Sequence, residues 1–365
     1  MNLSLGIVGL PNVGKSTLFN TLTNNAIPAE NYPFCTIDPN IGIVYIPDIR
    51  IDKITQLVNP EKTLYPVVEF YDIAGLVKNA HKGEGLGNQF LAHIRNTSAI
   101  VQVVRSFKAD EVVHVEKQVD PKRDKEIVET ELILKDLESL QKRIEKMEKE
   151  EVKKDPKMKI FLDYALKIRE VLNAGKLAIT LNKSQNQDME KFRRELFLLT
   201  DKSIIYLVNV DEVDLTEDLK KNLRRNLEIS EQFPVIPMNI KQEFEISQLN
   251  PSEREEFRKE LGLEFHALDE LILTSYELLG LISFYTAGPK EVRGWTIPRE
   301  NTVLDAAAAI HTDFRKKFIA ADVVAYDDFV KAGGWQQAKE QGKVRLEGRD
   351  YVVKDADVLI IRHGA

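Results

Sequence analysis

Residues 9–17 read Gly9-Leu10-Pro11-Asn12-Val13-Gly14-Lys15-Ser16-Thr17. They fit G-x-x-x-x-G-K-[ST], the phosphate-binding loop. Leu3, Leu5, Ile7 and Val8 precede the loop as a short buried strand, and Leu18, Phe19 and Leu22 follow at helical spacing up to Asn24. Each residue type has a chemical task. Gly9 and Gly14 let backbone N–H groups curl round an anion with no Cβ in the way. Lys15 reaches the outer phosphates, the Ser16 hydroxyl ligates Mg²⁺, and the helix N-terminus adds its positive end. A turn that merely joined strand to helix would not need the Lys-Ser pair. The stretch predicts a protein that binds a nucleoside triphosphate with Mg²⁺.

The bulk of the chain agrees with that reading. Its 365 residues suffice for two or three domains and a large core. Hydrophobic residues make up 43% and charged residues 30%, an ordinary soluble balance. No apolar run approaches the ~18 residues of a membrane helix. The N-terminus leads straight into the first strand, so neither a signal nor a transit peptide is expected. One cysteine, Cys35, excludes an internal disulfide framework and an all-cysteine metal cluster. The expected location is cytoplasmic. A net charge of −7 argues against indiscriminate nucleic-acid binding, and neither a membrane nor sequence-specific DNA is an expected partner.

Further switch elements follow in order. Ala26 to Asn40 is a proline-containing loop before a strand at Ile41 to Ile46, and Thr36 within it stands about twenty residues past Ser16. Nucleotide switches place a threonine there to complete the Mg²⁺ shell and sense the γ-phosphate. Val67 to Tyr71 reads as a buried strand ending in Asp72-Ile73-Ala74-Gly75. This D-x-x-G supplies a Walker B aspartate, acting on the metal through water, and a glycine N–H for the γ-phosphate. The glycines of Gly83 to Gly87 make the next segment deformable. Ala99 to Val104 is the next buried strand.

Ile133, Leu137, Leu140, Ile144 and Met147, answered by Phe161, Ala165, Ile168 and Leu172, give two helices with facing apolar seams. Pro156 lies in the charged turn between them, so residues 125–173 are expected to form an inserted antiparallel hairpin. Residues 141–159 carry eight Lys/Arg against five Asp/Glu. That suits a solvated face or a docking arm for an acidic partner.

Two places could read the base, where small GTPases use N-K-x-D. Leu177 to Leu181 leads into Asn182-Lys183-Ser184-Gln185, and Ser203 to Val208 leads into Asn209-Val210-Asp211-Glu212. The second is preferred, because a helix (Leu219 to Leu227) and a last strand (Val235 to Met238) follow in proper alternation. Neither has aspartate in fourth place. Without that acceptor for guanine's N1–H and amine, selectivity shifts by up to ~10⁴ towards adenine. From about Ile282 the chain turns to short strands at 323–325, 351–353 and 358–361, a helical stretch at 303–314 and a turn-rich segment at 286–296. Residues 281–365 hold 13 Lys/Arg and 12 Asp/Glu, so the acidic excess lies in the preceding 280 residues.

These motifs together resemble the YchF (Obg-like ATPase) family of translation-factor-related P-loop NTPases. The resemblance runs through GLPNVGKSTLFN at 9–20, NYPFCTIDPN at 31–40 and DIAGLVKNAHKGEGLGNQFL at 72–91. It continues through NVDE at 209–212, AGPKEVRGWTIP at 287–298 and HTDFRKKFIAAD at 311–322. It implies an α/β fold: a P-loop NTPase doubly wound sheet over residues 1–281 with the inserted hairpin. A C-terminal α+β ubiquitin-like β-grasp (TGS) domain over 282–365 completes it. It also implies ribosome association, and ATP preferred over GTP through Asn209 and Glu212. Nucleotide contacts carry over to Asn12, Val13, Gly14, Lys15, Ser16, Thr17 and Val210, and Mg²⁺ ligands to Ser16 and Thr36. Phe107 is implied to stack on the base and the loop Asn239, Ile240 and Lys241 to close over it, although that loop departs from the family's small-residue S-A-K pattern.

Hydrolysis needs an oriented water and charge neutralisation. Lys15 and the loop N–H groups provide the second. The residue after D-x-x-G, glutamine in many GTPases, is Leu76 here, which cannot hydrogen-bond water. His81 and His114 are the candidate replacements. Three functions fit: a slow ATPase switch acting on the ribosome through the C-terminal domain and the hairpin, the same machine on GTP, or a nucleotide-sensing scaffold.

Overall fold

The computed structural model describes residues 4–24, 40–73, 94–107, 119–211, 215–260 and 266–364. Contacts divide the chain into two units. Among the described residues, those within 4–42 and Glu69–Leu268 form the first; those within Ile43–Val68 and Asp269–Ala365 form the second.

One six-stranded sheet contains β1 (Ser4–Val8), β2 (Ile41–Tyr45), β4 (Val67–Asp72), β5 (Ala99–Arg105), β6 (Ser203–Asn209) and β7 (Val235–Met238), while β3 (Lys62–Leu64) belongs to the other sheet. Their order is β2-β4-β1-β5-β6-β7. The run from β4 to β7 is parallel throughout. Every residue of β1 and β5 is buried, which explains why both are largely apolar without alternation: a parallel sheet covered on both faces has no polar side to alternate with. Helix α1 (Lys15–Asn24) starts directly after the loop that follows β1.

After α2 (Ile49–Val58), which belongs to the second unit, come α3 (Pro121–Lys146) and α4 (Lys159–Asn173). Asp120 caps α3 by accepting from the Arg123 N–H at 3.1 Å, and Pro121 takes the first turn, where its missing N–H costs nothing. Ile133, Leu140, Ile144 and Met147 are buried together with Ala165, Ile168 and Leu172. Leu137 and Phe161 are only half-buried. The reversal between the helices contains a 3₁₀ turn at Pro156–Met158.

Asp136 is the polar anchor of α3. It is fully buried, and its carboxylate accepts from the N–H groups of Leu199 (2.9 Å) and Thr200 (2.8 Å) and from the Thr200 hydroxyl (2.6 Å). Burial pushes its carboxyl above the usual range, against the pull of those donors. Asp136→Ala would strand three buried donors. It is expected to cost about 3 kcal/mol or more, read as a lower urea midpoint at unchanged slope.

The second unit contains α9 (Ala267–Leu278, from Asp269 on), β8 (Leu281–Ala287), β9 (Glu291–Pro298), β10 (Phe318–Val324), β11 (Arg345–Glu347) and β12 (Val358–His363). The helices α5 (Gln187–Glu195), α6 (Glu217–Asn226), α7 (Ile240–Ser247) and α8 (Pro251–Glu260) that precede it in the chain all lie in the first unit. The sheet order is β11-β10-β12-β8-β9-β3. The segment 286–296, read from sequence as turn-rich, is mostly the antiparallel β8–β9 hairpin, with the turn confined to residues between the two strands. Helix α10 (Val303–Ile310), with a capping box between Thr302 and Asp305, covers one core containing Phe284, Ile297 and Leu359. A second core joins Tyr285, Val292 and Val358 to Ile51 and Ile54 of α2.

The α2 segment is fixed there by charge as well. Asp48 caps α2 and receives the Arg50 Nε at 2.8 Å and the Tyr285 hydroxyl, and Arg50 reaches Asp355 at 2.6 Å. β3 pairs in parallel with β9. Between β2 and β4, the segment carrying α2 and β3 thus packs with the C-terminal part of the chain.

Candidate nucleotide-binding site

Open parallel sheets hold ligands outside the carboxyl ends of their strands. Residues 9–14 leave the end of β1 in a shape few residues tolerate: φ is 155° at Gly9, 62° at Asn12 and 105° at Gly14. Asparagine is among the few side-chain-bearing residues that visit the left-handed region readily. The two glycines are also sterically required. A Cβ on Gly9 would lie 2.6 Å from the Val103 carbonyl oxygen, and one on Gly14 would lie 2.7 Å from the Asn209 amide nitrogen.

Lys15 is buried, and its Nζ donates to the Leu10 carbonyl at 2.6 Å. Burial lowers its pKa from 10.5 to about 8, opposed by the negative charge of Asp72. Burial in turn pushes the Asp72 carboxyl up, opposed by Lys15. The ammonium therefore faces the carboxylate at the end of β4, with the loop's own carbonyl as its hydrogen-bond partner.

The sign of the pH effect follows from the lowered value. Between about pH 8 and 10.5 the unfolded chain holds a proton on Lys15 that the folded chain has lost. Stability of the nucleotide-free protein therefore rises with pH across that window, because the cost of a buried ammonium is relieved. Bound phosphate stabilises the ammonium, so nucleotide affinity runs the other way. Between about pH 7.5 and about pH 9.5 the ATP affinity is expected to fall roughly tenfold or more, with proton uptake in calorimetry at the higher pH. Constant affinity with no proton uptake would remove Lys15 from the phosphate site.

Asn209, buried at the end of β6, ties three segments together. Its Nδ2 donates to the Val13 carbonyl at 3.0 Å, its Oδ1 accepts from the Ile240 N–H at 3.3 Å, and its carbonyl accepts from the Ser106 N–H at 2.8 Å. Val210, 2% exposed, follows it and donates its N–H to Met238 at 3.0 Å. Asn239 caps α7 by accepting from Gln242, and its Nδ2 donates to the Asp211 carbonyl at 3.2 Å. Phe107, half-buried, follows β5 through Ser106.

The geometry therefore gathers Val13, Gly14, Lys15, Asn209, Val210, Asn239 and Ile240 around the loop, with Asp72 facing Lys15 electrostatically. Ser16 is exposed at the first turn of α1, next to Thr17, and Lys241 is exposed on α7. Thr36, Gly75, His81, His114 and Glu212 lie outside the described residues. The rival base-reading position fails on local structure: residues before Asn182 form a 3₁₀ turn, Ala178–Thr180, instead of the expected strand, and Asn182 is exposed. Two participants escaped the sequence reading: the Leu10 carbonyl, and Arg105, an arginine that is 1% exposed at the end of an otherwise largely apolar strand. For Arg105 the signal was there, a charge closing a buried run.

Mg²⁺ suits this donor set. Among the described residues no group of three or more His, Cys, Asp or Glu side chains is placed to hold a metal ion. The exposed Ser16 hydroxyl and the Asp72 carboxylate are hard oxygen donors, few in number. That fits a cation that keeps several waters and leans on substrate phosphates.

Residues 4–162 match a family model described as "50S ribosome-binding GTPase", and residues 281–364 match the model YchF-GTPase_C, described as a protein of unknown function. The ribosome-binding ATPase YchF of Bacillus subtilis is 46% identical over 365 residues, 99% of each chain. The chain belongs to the YchF family. The YchF ribosome-binding ATPase of Pasteurella multocida is 47% identical over 364 residues, again 99% of each chain. The solved YchF GTPase of Schizosaccharomyces pombe superposes with a TM-score of 0.86 at 33% identity, covering 99% of this chain and 98% of that one. The P-loop domain and the C-terminal domain of this YchF chain are therefore those of the family. No helix among the described residues is long and apolar enough to cross a membrane.

Proposed function

We infer that the chain is an ATP-binding, slowly ATP-hydrolysing switch that associates with the ribosome and prefers ATP to GTP. The observation that carries the reading is the Asn209 clamp. One side chain holds the phosphate loop at Val13 and the α7 entry at Ile240, and the next residue is the apolar Val210 where N-K-x-D places lysine. The names of the relatives from Bacillus subtilis and Pasteurella multocida support ATP and the ribosome as partners.

In this account Lys15 exchanges the Leu10 carbonyl for a phosphate oxygen when the nucleotide enters. The loop N–H groups and the start of α1 bind the remaining phosphate charge. Ser16 and Thr36 would hold Mg²⁺, and Asp72 would hold it through water; the ion would supply neutralisation of phosphate charge. The Gly75 N–H meets the γ-phosphate. Phe107, Val210 and residues 239–241 enclose the base. Leu76 cannot orient water, so His81 or His114 takes that part, and the intrinsic rate is low. The C-terminal domain and the α3–α4 hairpin carry the ribosome contact, at a cytoplasmic location.

The description of the Schizosaccharomyces pombe protein as a GTPase favours the second reading, the same machine on GTP. A third, a scaffold with incidental turnover, predicts that hydrolysis-dead protein keeps its function. The first reading is tested by single-turnover kinetics and by co-sedimentation with ribosomes under ATP, a non-hydrolysable ATP analogue or ADP. Turnover by the isolated protein is expected well below about one per second, since a missing water-positioning or charge-stabilising group costs ~10³ to 10⁵ in rate. Ribosome binding is expected to depend on the nucleotide state and to raise the rate. Turnover of tens per second by the protein alone, or co-sedimentation indifferent to nucleotide, would overturn it.

A further inference from the structure

Arg105 ends β5 and is 1% exposed. Its partner across the parallel ladder is Asn209. Paired residues in register leave a sheet on the same face, so the arginine and the side chain that clamps the phosphate loop lie together. The Arg105 guanidinium carbon sits 4.3 Å from the centre of the Phe107 ring, and its Nε donates to the Phe107 carbonyl at 3.4 Å. The Ser106 N–H between them is fastened to the Asn209 carbonyl at 2.8 Å. One buried cation thus holds both the ring and the backbone of Phe107, and β6 holds the residue in between.

A guanidinium is a costly way to fill a buried position if packing is all that is wanted, because its charge must leave water. Its gain here is directional. A cation over one face of an aromatic ring is held by the ring's negative quadrupole, and this fixes the ring plane. It also draws electron density towards itself, so the opposite face becomes a better partner for an electron-rich purine.

We propose that Arg105 is a positioning residue that sets the Phe107 ring as the stacking platform for the nucleotide base. The proposal rests on the nucleotide-binding reading above and adds to it the group that orders the base side of the pocket. Arg105 acts through Phe107, so its removal should be felt by the base and not by the phosphates.

The test compares two ligands on the full chain by calorimetry: Mg²⁺–ATP, and Mg²⁺–tripolyphosphate, which offers the phosphates without sugar or base. Arg105→Met is expected to weaken ATP about tenfold, the scale of one desolvated cation–π contact. Tripolyphosphate affinity should stay within about twofold, because this ligand has no base to stack on Phe107. Arg105→Lys, which keeps the charge without the planar fork, should recover part of the loss. Combining Arg105→Met with Phe107→Leu should weaken ATP no further than Phe107→Leu alone, because both reach the base through the Phe107 ring. Equal loss of both ligands would assign Arg105 to the phosphate pocket or to the fold and overturn the proposal, and so would unchanged ATP affinity. Strictly additive losses in the double variant would overturn it also, and this arm decides on ATP alone if tripolyphosphate is too weak to titrate. If unaltered protein binds neither ligand, the nucleotide-binding reading itself fails and the proposal falls with it.

Discussion

Lys15→Ala is expected to reduce ATP turnover by about 10³-fold or more while the protein stays folded. Charge on the γ-phosphate is spread over its oxygens as the bond to the leaving group breaks, and groups aimed at that charge in a dry site typically contribute 10²- to 10³-fold each, with larger effects in phosphoryl transfer. Lys15 is already buried beside Asp72 and is held by the Leu10 carbonyl, so it needs only a change of partner to meet the phosphate. Fold retention has a physical basis. Alanine removes a buried ammonium whose pKa burial has depressed, so the substitution also removes a desolvation cost. Ser16→Ala, expected to lose turnover through the metal, provides the companion variant. Single-turnover phosphate release with unchanged thermal midpoint is the check. Normal turnover in either variant would make the loop a structural turn.

The second large effect is expected from Asn209→Ala. It deletes an amide that donates to Val13 and accepts from Ile240, leaving a carbonyl and an N–H without their partner in a buried site. Each orphaned group costs about 1–3 kcal/mol, so ATP affinity should drop by roughly 10²-fold. The loss should come with a looser loop and not with a change of base selectivity, because the Asn209 side chain is spent on the Val13 carbonyl and the Ile240 N–H. Gly14→Ala approaches the same contact from the other side: its Cβ would stand 2.7 Å from the Asn209 amide nitrogen at a φ of 105°. It should therefore weaken ATP at least as much. Calorimetry on both variants checks the pair. Wild-type affinity in Asn209→Ala would show that the clamp is not needed to shape the loop.

The parts of this architecture that sequence makes legible share a property: their constraint is local. The phosphate loop is written in consecutive residues, the strands Ala99–Arg105 and Ser203–Asn209 are written as largely apolar runs, and the seam of α3 and α4 is written in heptad-like spacing. What sequence left hidden depends on partners far along the chain. Residues 43–68 look like a continuation of the nucleotide-binding domain. Nothing in Asp48 or Arg50 announces that they pair with Tyr285 and Asp355, more than two hundred residues away. The stretch 177–181 has strand-like residues but forms a 3₁₀ turn. Arg193 in the following helix donates to the carbonyls of Ala178 and Leu181, so those groups are satisfied without a ladder. In the site, Asn209 was legible as a candidate after a buried strand, while its hold on Val13 was not. Arg105 was overlooked because periodicity treats a strand's last residue as its boundary.

Preference of this site for ATP over GTP is read by calorimetric titration of one protein sample with each nucleotide in the presence of Mg²⁺. ATP is expected to bind more tightly, since neither asparagine-led motif ends in the aspartate that accepts from guanine's two donors. A fitted acceptor of that kind is worth up to ~10⁴ in selectivity when present. A tenfold or greater preference for GTP would contradict it.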